Sequence, residues 1–240
     1  MTVNVSWDTS SKVWALEGAI VDLDGTMVDT MGDFTEALNR MLLDLRLPAL
    51  VAAEVEPMVG KGTEHLLHCA LRHVLAQQGA TQEALPAAAQ ALFAQALERY
   101  MHHYIEINGA HSAVYAGVVQ GLQALKQAGL RLACVTNKPL AFTTPLLRAK
   151  GLDRLFDVVF GGDSFARKKP DPLPLHKACE ALGTLPAQTV MIGDSSNDAQ
   201  AGRAAGCPVL LVTYGYNHGQ PVQAVDADGW VDSLALVRVA

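Results

Sequence analysis

Short apolar runs punctuate the chain: Ala19-Ile20-Val21, Leu130-Arg131-Leu132-Ala133-Cys134-Val135, Val158-Val159-Phe160, Val190-Met191-Ile192 and Val209-Leu210-Leu211-Val212. Each is followed by polar or glycine residues. Runs this short, continuous and rich in β-branched side chains predict strands buried on both faces, as in a parallel sheet. Between them the spacing becomes helical. One helix is predicted over 118–127 before Gly129 and another over 139–150 before Gly151, the second opened by a proline. Strand alternating with helix predicts a doubly wound, Rossmann-like α/β domain.

The rhythm breaks between Gly32 and Asn108, where only helical periodicity is found. Phe34, Leu38, Met41, Leu42 and Leu45 fall on one apolar face. Further helices are predicted over 63–76 and over an alanine-rich segment, 87–107. A helical block between the first and second strands reads as an inserted domain. The predicted organisation is an α/β core of residues 1–31 and 110–240 with a helical insert of residues 32–109.

Composition narrows the partners. Half of the residues are apolar, enough for a substantial core, and the net charge of −6 disfavours nucleic acid or an anionic membrane. An acidic chain that binds an anionic substrate needs a local cation, from a metal or from placed lysines. Cys69, Cys134, Cys179 and Cys207 are widely separated without a CxxC pair, which predicts reduced thiols in the cytoplasm. No apolar run approaches membrane-spanning length. The first residues place Asp8 and the polar stretch Thr9-Ser10-Ser11-Lys12 where a signal peptide needs apolar residues. Trp7 and Trp14 either pack on the body or belong to a loose segment. The expected state is a monomer or small homo-oligomer.

In an open α/β sheet, ligands bind beyond the carboxyl ends of the strands, so the residues after each apolar run form the candidate site. The first run leads into Asp22-Leu23-Asp24-Gly25-Thr26 and the second into Thr136-Asn137-Lys138. Lys168-Lys169-Pro170 follows the third, and Gly193-Asp194-Ser195-Ser196-Asn197-Asp198 the fourth. An isolated Asp-Gly reads as a turn. Asp22, Asp24 and Asp194 gathered without a cation, however, would repel at a cost on the order of several kcal/mol. All-oxygen donors select a hard cation, and Mg²⁺ suits a site sharing one or two carboxylates with phosphate and water.

These four segments, in this order and each at a strand end, resemble the signature of the haloacid dehalogenase superfamily over residues 18–30 and 113–219. The resemblance implies a helical cap inserted after the first motif, and hydrolysis of phosphate esters through an aspartyl-phosphate. It implies Asp22 as nucleophile and Asp24 as general acid for the leaving alkoxide, then base for water. Thr136 and the backbone N–H of Asn137, expected at a helix start, would bind the phosphoryl group. Lys169, directly before the proline, would neutralise phosphoryl charge and hold Asp22. Lys168 is then a solvated neighbour. Asp194, the Asp22 carboxylate and the Asp24 carbonyl would ligate Mg²⁺, with Asp198 supporting them. Asp29 and Asp33 are expected to serve the hinge or to cap a helix.

Three stretches resemble the bacterial phosphoglycolate phosphatases within that superfamily. They are Val135-Thr136-Asn137-Lys138-Pro139, Gly161-Gly162-Asp163-Ser164 with Lys168-Lys169-Pro170-Asp171-Pro172, and Thr213-Tyr214-Gly215-Tyr216-Asn217-His218-Gly219. The resemblance implies 2-phosphoglycolate as substrate. Ala116 departs from the family pattern in a loop, and Lys61 departs in the cap segment Val59-Gly60-Lys61-Gly62-Thr63. Lys61 is read either as an exposed loop cation or as a partner for the substrate's carboxylate. His65, His68 and Cys69 have zinc-like spacing but lack a fourth ligand, and they are read as packed or surface residues, as are His102, His103 and His218. Another small or sugar-acid phosphate, or a sugar phosphomutase reaction, would keep the same motifs. A non-catalytic binding protein would be expected to lack Asp22, Asp24 or Lys169.

Overall fold

The computed structural model describes residues 2–7 and 13–239, so the polar stretch from Asp8 to Lys12 lies outside the described residues. In chain order the elements are β1 (Val3–Ser6), β2 (Trp14–Leu16), β3 (Gly18–Val21), β4 (Val28–Asp29), α1 (Met31–Asp44), α2 (Ala52–Val55), α3 (Thr63–Gln77) and α4 (Leu85–Ile107). There follow β5 (Ala113–Val114), α5 (Val118–Gln127), β6 (Arg131–Val135), α6 (Leu140–Ala149), β7 (Val158–Phe160), α7 (Leu173–Leu182), β8 (Thr189–Gly193), α8 (Ser196–Ala205), β9 (Val209–Val212), β10 (Gly229–Val231) and β11 (Arg238–Val239).

The central sheet has the order β10-β9-β8-β3-β6-β7, and every pairing in it is parallel. Its strands are apolar throughout because both faces are covered. Ala19 and Val21 enter one core with Leu132, Cys134, Val190 and Ile192, while Ile20 turns to the opposite core with Ala133 and Met191. From β3 the chain winds first towards β6 and β7, then crosses back to β8, β9 and β10. The edge of β3 between its two neighbours is therefore the switch point at which such sheets bind ligands.

The inserted helices have an apolar core of their own, in which Leu38 and Met41 of α1, Leu67 and Leu71 of α3, and Tyr100 and Tyr104 of α4 are buried together. Phe142 of α6 and Tyr216 join that cluster from the α/β side. Phe34, Leu38, Met41 and Leu42 are the buried face of α1, while Leu45 lies one residue past the helix end. The short pairing of β4 with β5, Val28 opposite Val114, sits where the chain leaves the α/β body and returns to it. Asp33 fastens the same junction, accepting hydrogen bonds from the N–H groups of Gly109 (2.8 Å) and His111 (2.7 Å).

The smallest elements were not foreseen. Strands of two to four residues such as β1, β2, β4, β5 and β11 carry too few positions to display a period. β1, β2 and β11 form a separate antiparallel sheet that ties the start of the chain to its end. Trp7 is buried beneath it and stacks on Trp14, ring centroids 5.6 Å apart, which settles the two tryptophans as packed. All four cysteines are free. No helix among the described residues is long and apolar enough to cross a membrane.

Candidate active site

Parallel pairing of β3 with both β6 and β8 brings Asp22, Thr136 and Asp194 to one edge, each immediately after its strand. The Asp22 N–H continues the ladder by donating to the carbonyl of Ile192 (2.9 Å). Gly25 then turns the chain in the left-handed region at φ +82°, and a Cβ there would stand 2.3 Å from Oδ2 of Asp194. Only glycine lets the Asp22–Thr26 loop approach Asp194 so closely. Thr26 in turn donates its hydroxyl to Asp194 Oδ1 (2.9 Å).

Lys169 is the electrostatic centre of the site. Its ammonium, almost fully buried, lies 2.9 Å from Asp22 Oδ1 and 2.6 Å from Asp198 Oδ1. Burial alone would push the Lys169 pKa down, but the charges of Asp198 and Asp22 reverse this and hold it cationic. Burial raises the Asp22 carboxyl to about 7, with Lys169 opposing the shift and Asp198 adding to it. Burial also lifts Asp194 well above the usual carboxylate range, followed by the charges of Asp198 and Asp22. Three clustered carboxylates and one ammonium leave a surplus of negative charge that only protons or another cation can balance.

Oxygens of Asp22, Asp194 and Asp198 lie within 4.8 Å of one another. Asp198 is already engaged: Oδ1 takes Lys169, and Oδ2 accepts from the Ser195 hydroxyl (2.9 Å) and the N–H groups of Asp194 (3.3 Å) and Ser195 (3.2 Å). Asp194 accepts one hydrogen bond on each oxygen, from Thr26 and from the Tyr216 N–H (2.7 Å), and keeps free lone pairs. Such a set, with oxygen donors only and an unbalanced negative charge, fits a hard divalent cation held by Asp22 and Asp194.

The Thr213–Gly219 stretch, read from sequence only by resemblance, has a physical role. The Tyr216 hydroxyl donates to Asp29 and accepts from the Thr30 N–H (2.8 Å), so one residue joins Asp194 to the hinge. Tyr214 donates to the Thr26 carbonyl (2.9 Å).

A loop of the helical insert closes the site from above. The carbonyl of Gly60 accepts from the side chains of both Asn137 and Asn197, each at 3.1 Å. Gly62 takes φ +91°, and a Cβ on it would meet the Lys168 ammonium at 2.7 Å. Lys168 is thus half-buried against this loop, less solvated than its sequence neighbourhood implied. The enclosed cavity is about 40 Å³ and is lined by Asp22, Asp24 and Thr136 below and by Phe34, Leu66 and Tyr104 above. At roughly 10–15 Å³ per water this space holds about three waters.

Two placements differ from the sequence reading. Helix α6 begins at Leu140 with Pro139 as its cap, so Asn137 lies ahead of the helix and its N–H gains little from the helix dipole. The Asn137 side chain instead bridges Gly60 to the Lys169 carbonyl (2.9 Å). Lys61 is exposed and does not line the cavity. Lys138, given no role from sequence, is buried in the cavity wall, 3.2 Å from Asp24 Oδ1 and hydrogen-bonded to the Tyr104 hydroxyl. Burial raises the Tyr104 phenol well above its usual range, so it stays neutral and accepts from Lys138. The one available signal was Lys138's place two residues after Thr136; its aromatic partners come from the insert, far away in sequence. His68 stacks on Phe93, His103 pairs with Asp44 (2.8 Å), and Cys69 lies 3.4 Å from His65, all within the insert.

Known proteins resemble this chain in sequence and fold. The family model of haloacid dehalogenase-like hydrolases matches residues 19–212. A phosphoglycolate phosphatase of Thiobacillus denitrificans is 44% identical over 92% of this chain and 93% of its own length. A plasmid-encoded phosphoglycolate phosphatase of Cupriavidus necator is 45% identical over 90% of this chain and 88% of its own. Among solved structures, one from Haemophilus somnus described as a predicted phosphoglycolate phosphatase superposes with a TM-score of 0.84 at 33% identity, covering 92% of this chain and 95% of that one.

Proposed function

The chain belongs to the haloacid dehalogenase-like hydrolase family and is a phosphoric monoester hydrolase, and from that premise we propose that it is a cytoplasmic, Mg²⁺-dependent phosphatase that hydrolyses 2-phosphoglycolate to glycolate and phosphate through an aspartyl-phosphate on Asp22. The observation that carries the chemistry is the Asp22 carboxylate held 2.9 Å from a buried lysine beside Asp194, at the sheet's switch point. Support for the substrate comes from relatives of that name.

Asp22 attacks phosphorus with the oxygen not drawn to Lys169. Charge on the ammonium orients the carboxylate and opposes the rise that burial imposes on its pKa, and splitting the reaction in two lowers each barrier. Asp24, two residues on, protonates the departing alkoxide and then deprotonates the water that cleaves the phosphoryl-aspartate. The Thr136 hydroxyl holds a phosphoryl oxygen. When bound by Asp22, Asp194 and the Asp24 carbonyl, Mg²⁺ supplies the positive charge that balances the carboxylates and the phosphoryl oxygens. Asp198 fixes Lys169 and the start of α8 without touching the substrate. Residues 32–109 act as the cap, and Asn137 and Asn197 hold it shut at Gly60. Lys61, exposed on the cap loop, is a candidate for steering the anionic substrate towards the site.

The test is phosphate release from a panel of small monoesters with Mg²⁺ and with chelator. The highest kcat/KM is expected on phosphoglycolate, with none in chelator. Turnover that favours a sugar phosphate over phosphoglycolate would overturn the substrate assignment.

A further inference from the structure

We propose that Lys138 is the specificity residue that binds the substrate's second anionic group, so that the enzyme selects small monoesters bearing a carboxylate one carbon beyond the ester carbon. This rests on the phosphatase reading above and names the side chain that makes it selective.

A lysine almost fully buried in a cavity wall requires a reason, because desolvating an ammonium costs on the order of several kcal/mol. Lys169 has two carboxylates as compensation. Lys138 has one, Asp24 at 3.2 Å, together with the neutral Tyr104 hydroxyl and the faces of Phe34 and Tyr104, each ring centroid 4.6 Å away. The aromatic pair comes from α1 and α4 of the cap, so the cage around the ammonium is complete only when the cap is closed. Among the described residues that line the cavity, Lys138 bears the only positive charge.

The position suits a second anion. Thr136 accepts a hydrogen bond from the Lys138 N–H (3.2 Å), so the phosphoryl ligand and the lysine belong to one tight turn. Asp24, which meets the ester oxygen, is the residue the ammonium touches. A group attached next to that oxygen therefore emerges beside Lys138. Phosphoglycolate places its carboxylate there, where it exchanges with Asp24 for the ammonium and leaves Asp24 free to face the leaving oxygen. A neutral monoester offers no such partner.

The experiment compares kcat/KM for phosphoglycolate and for ethyl phosphate, which lacks the carboxylate, in the native enzyme and in Lys138→Met. A lost charge-assisted contact is expected to lower the phosphoglycolate value about ten- to a hundred-fold and the ethyl phosphate value several-fold less, collapsing the ratio between them. An equal loss on both substrates, or no loss on either, overturns the proposal. Should Lys138→Met fail to fold, inhibition of the native enzyme decides. Phosphonopropionate, with the carboxylate, should inhibit at least about ten-fold better than propylphosphonate, and equal inhibition overturns the proposal. The substrate assignment fails separately: native enzyme inert to phosphoglycolate but active on 2-phospholactate, whose carboxylate also lies one carbon beyond the ester carbon, would refute phosphoglycolate while the phosphonate preference still supports Lys138.

Discussion

Replacing Asp22 by asparagine should stabilise the protein in chelator at neutral to alkaline pH. In the folded chain Asp22 holds its proton up to about 7, whereas the unfolded chain releases it near 3.8. Between those values unfolding releases a proton, so stability is fully present below about pH 4 and falls as pH rises through 7. The interval is about three pH units, and at about 1.4 kcal/mol each the loss approaches 4 kcal/mol. At roughly 2–4 °C per kcal/mol for a chain of this size, about 8–16 °C in Tm is at stake. Asparagine keeps the shape, removes the charge and leaves Lys169 its 2.6 Å partner Asp198, so a gain of at least about 4 °C is expected at about pH 8. Near pH 4 the two proteins should coincide, because Asp22 is then protonated. The assay is thermal unfolding followed by circular dichroism, in chelator and then with Mg²⁺, which should raise Tm in the native protein and much less in Asp22→Asn. An equal Tm difference at both pH values, or none at the higher one, would refute the reasoning.

Other outcomes follow from the same geometry. Lys169→Met leaves Asp22 and Asp198 without their shared ammonium and should cost about 3–5 kcal/mol where both are ionised, visible as a Tm deficit that shrinks as pH is lowered. Excess chelator should abolish phosphate release and Mg²⁺ restore it, while Ca²⁺, larger and looser in coordination, should bind and raise Tm but support little turnover. Lys61→Ala should slow phosphoglycolate turnover mainly at low ionic strength, the behaviour of an exposed steering charge; a salt-independent loss of a hundred-fold or more would place it in the substrate contact.

The α/β framework was legible because buried parallel strands write themselves as apolar runs, and the five runs correspond to β3, β6, β7, β8 and β9. Asp22, Thr136, Lys169 and Asp194 were legible for a related reason: an open sheet places whatever follows its strands at one edge. The cap helices showed through periodicity, with α3 and α4 extending only one or two residues beyond the predicted ends. Contacts between the cap and the body did not show. Lys138 meets Tyr104 across 34 positions, and Asn197 meets Gly60 across 137. Neither pair has a local spacing to read, because cap closure is a tertiary event. β10 was also missed, since Gly229-Trp230-Val231 is too short to stand out from the polar residues around it.

The central claim is that phosphate passes through Asp22. Asp24→Asn should slow hydrolysis of the intermediate more than its formation, because water loses its base while Asp22 remains. Acid-quenching that variant within the first turnover on phosphoglycolate and Mg²⁺, then mapping peptides by mass spectrometry, should find one phosphoryl group on the peptide that carries Asp22, and none in the variant that also bears Asp22→Asn. Phosphate release in the native enzyme with no phosphorylated peptide at any quench time, or a phosphoryl group that persists when Asp22 is asparagine, would contradict the account.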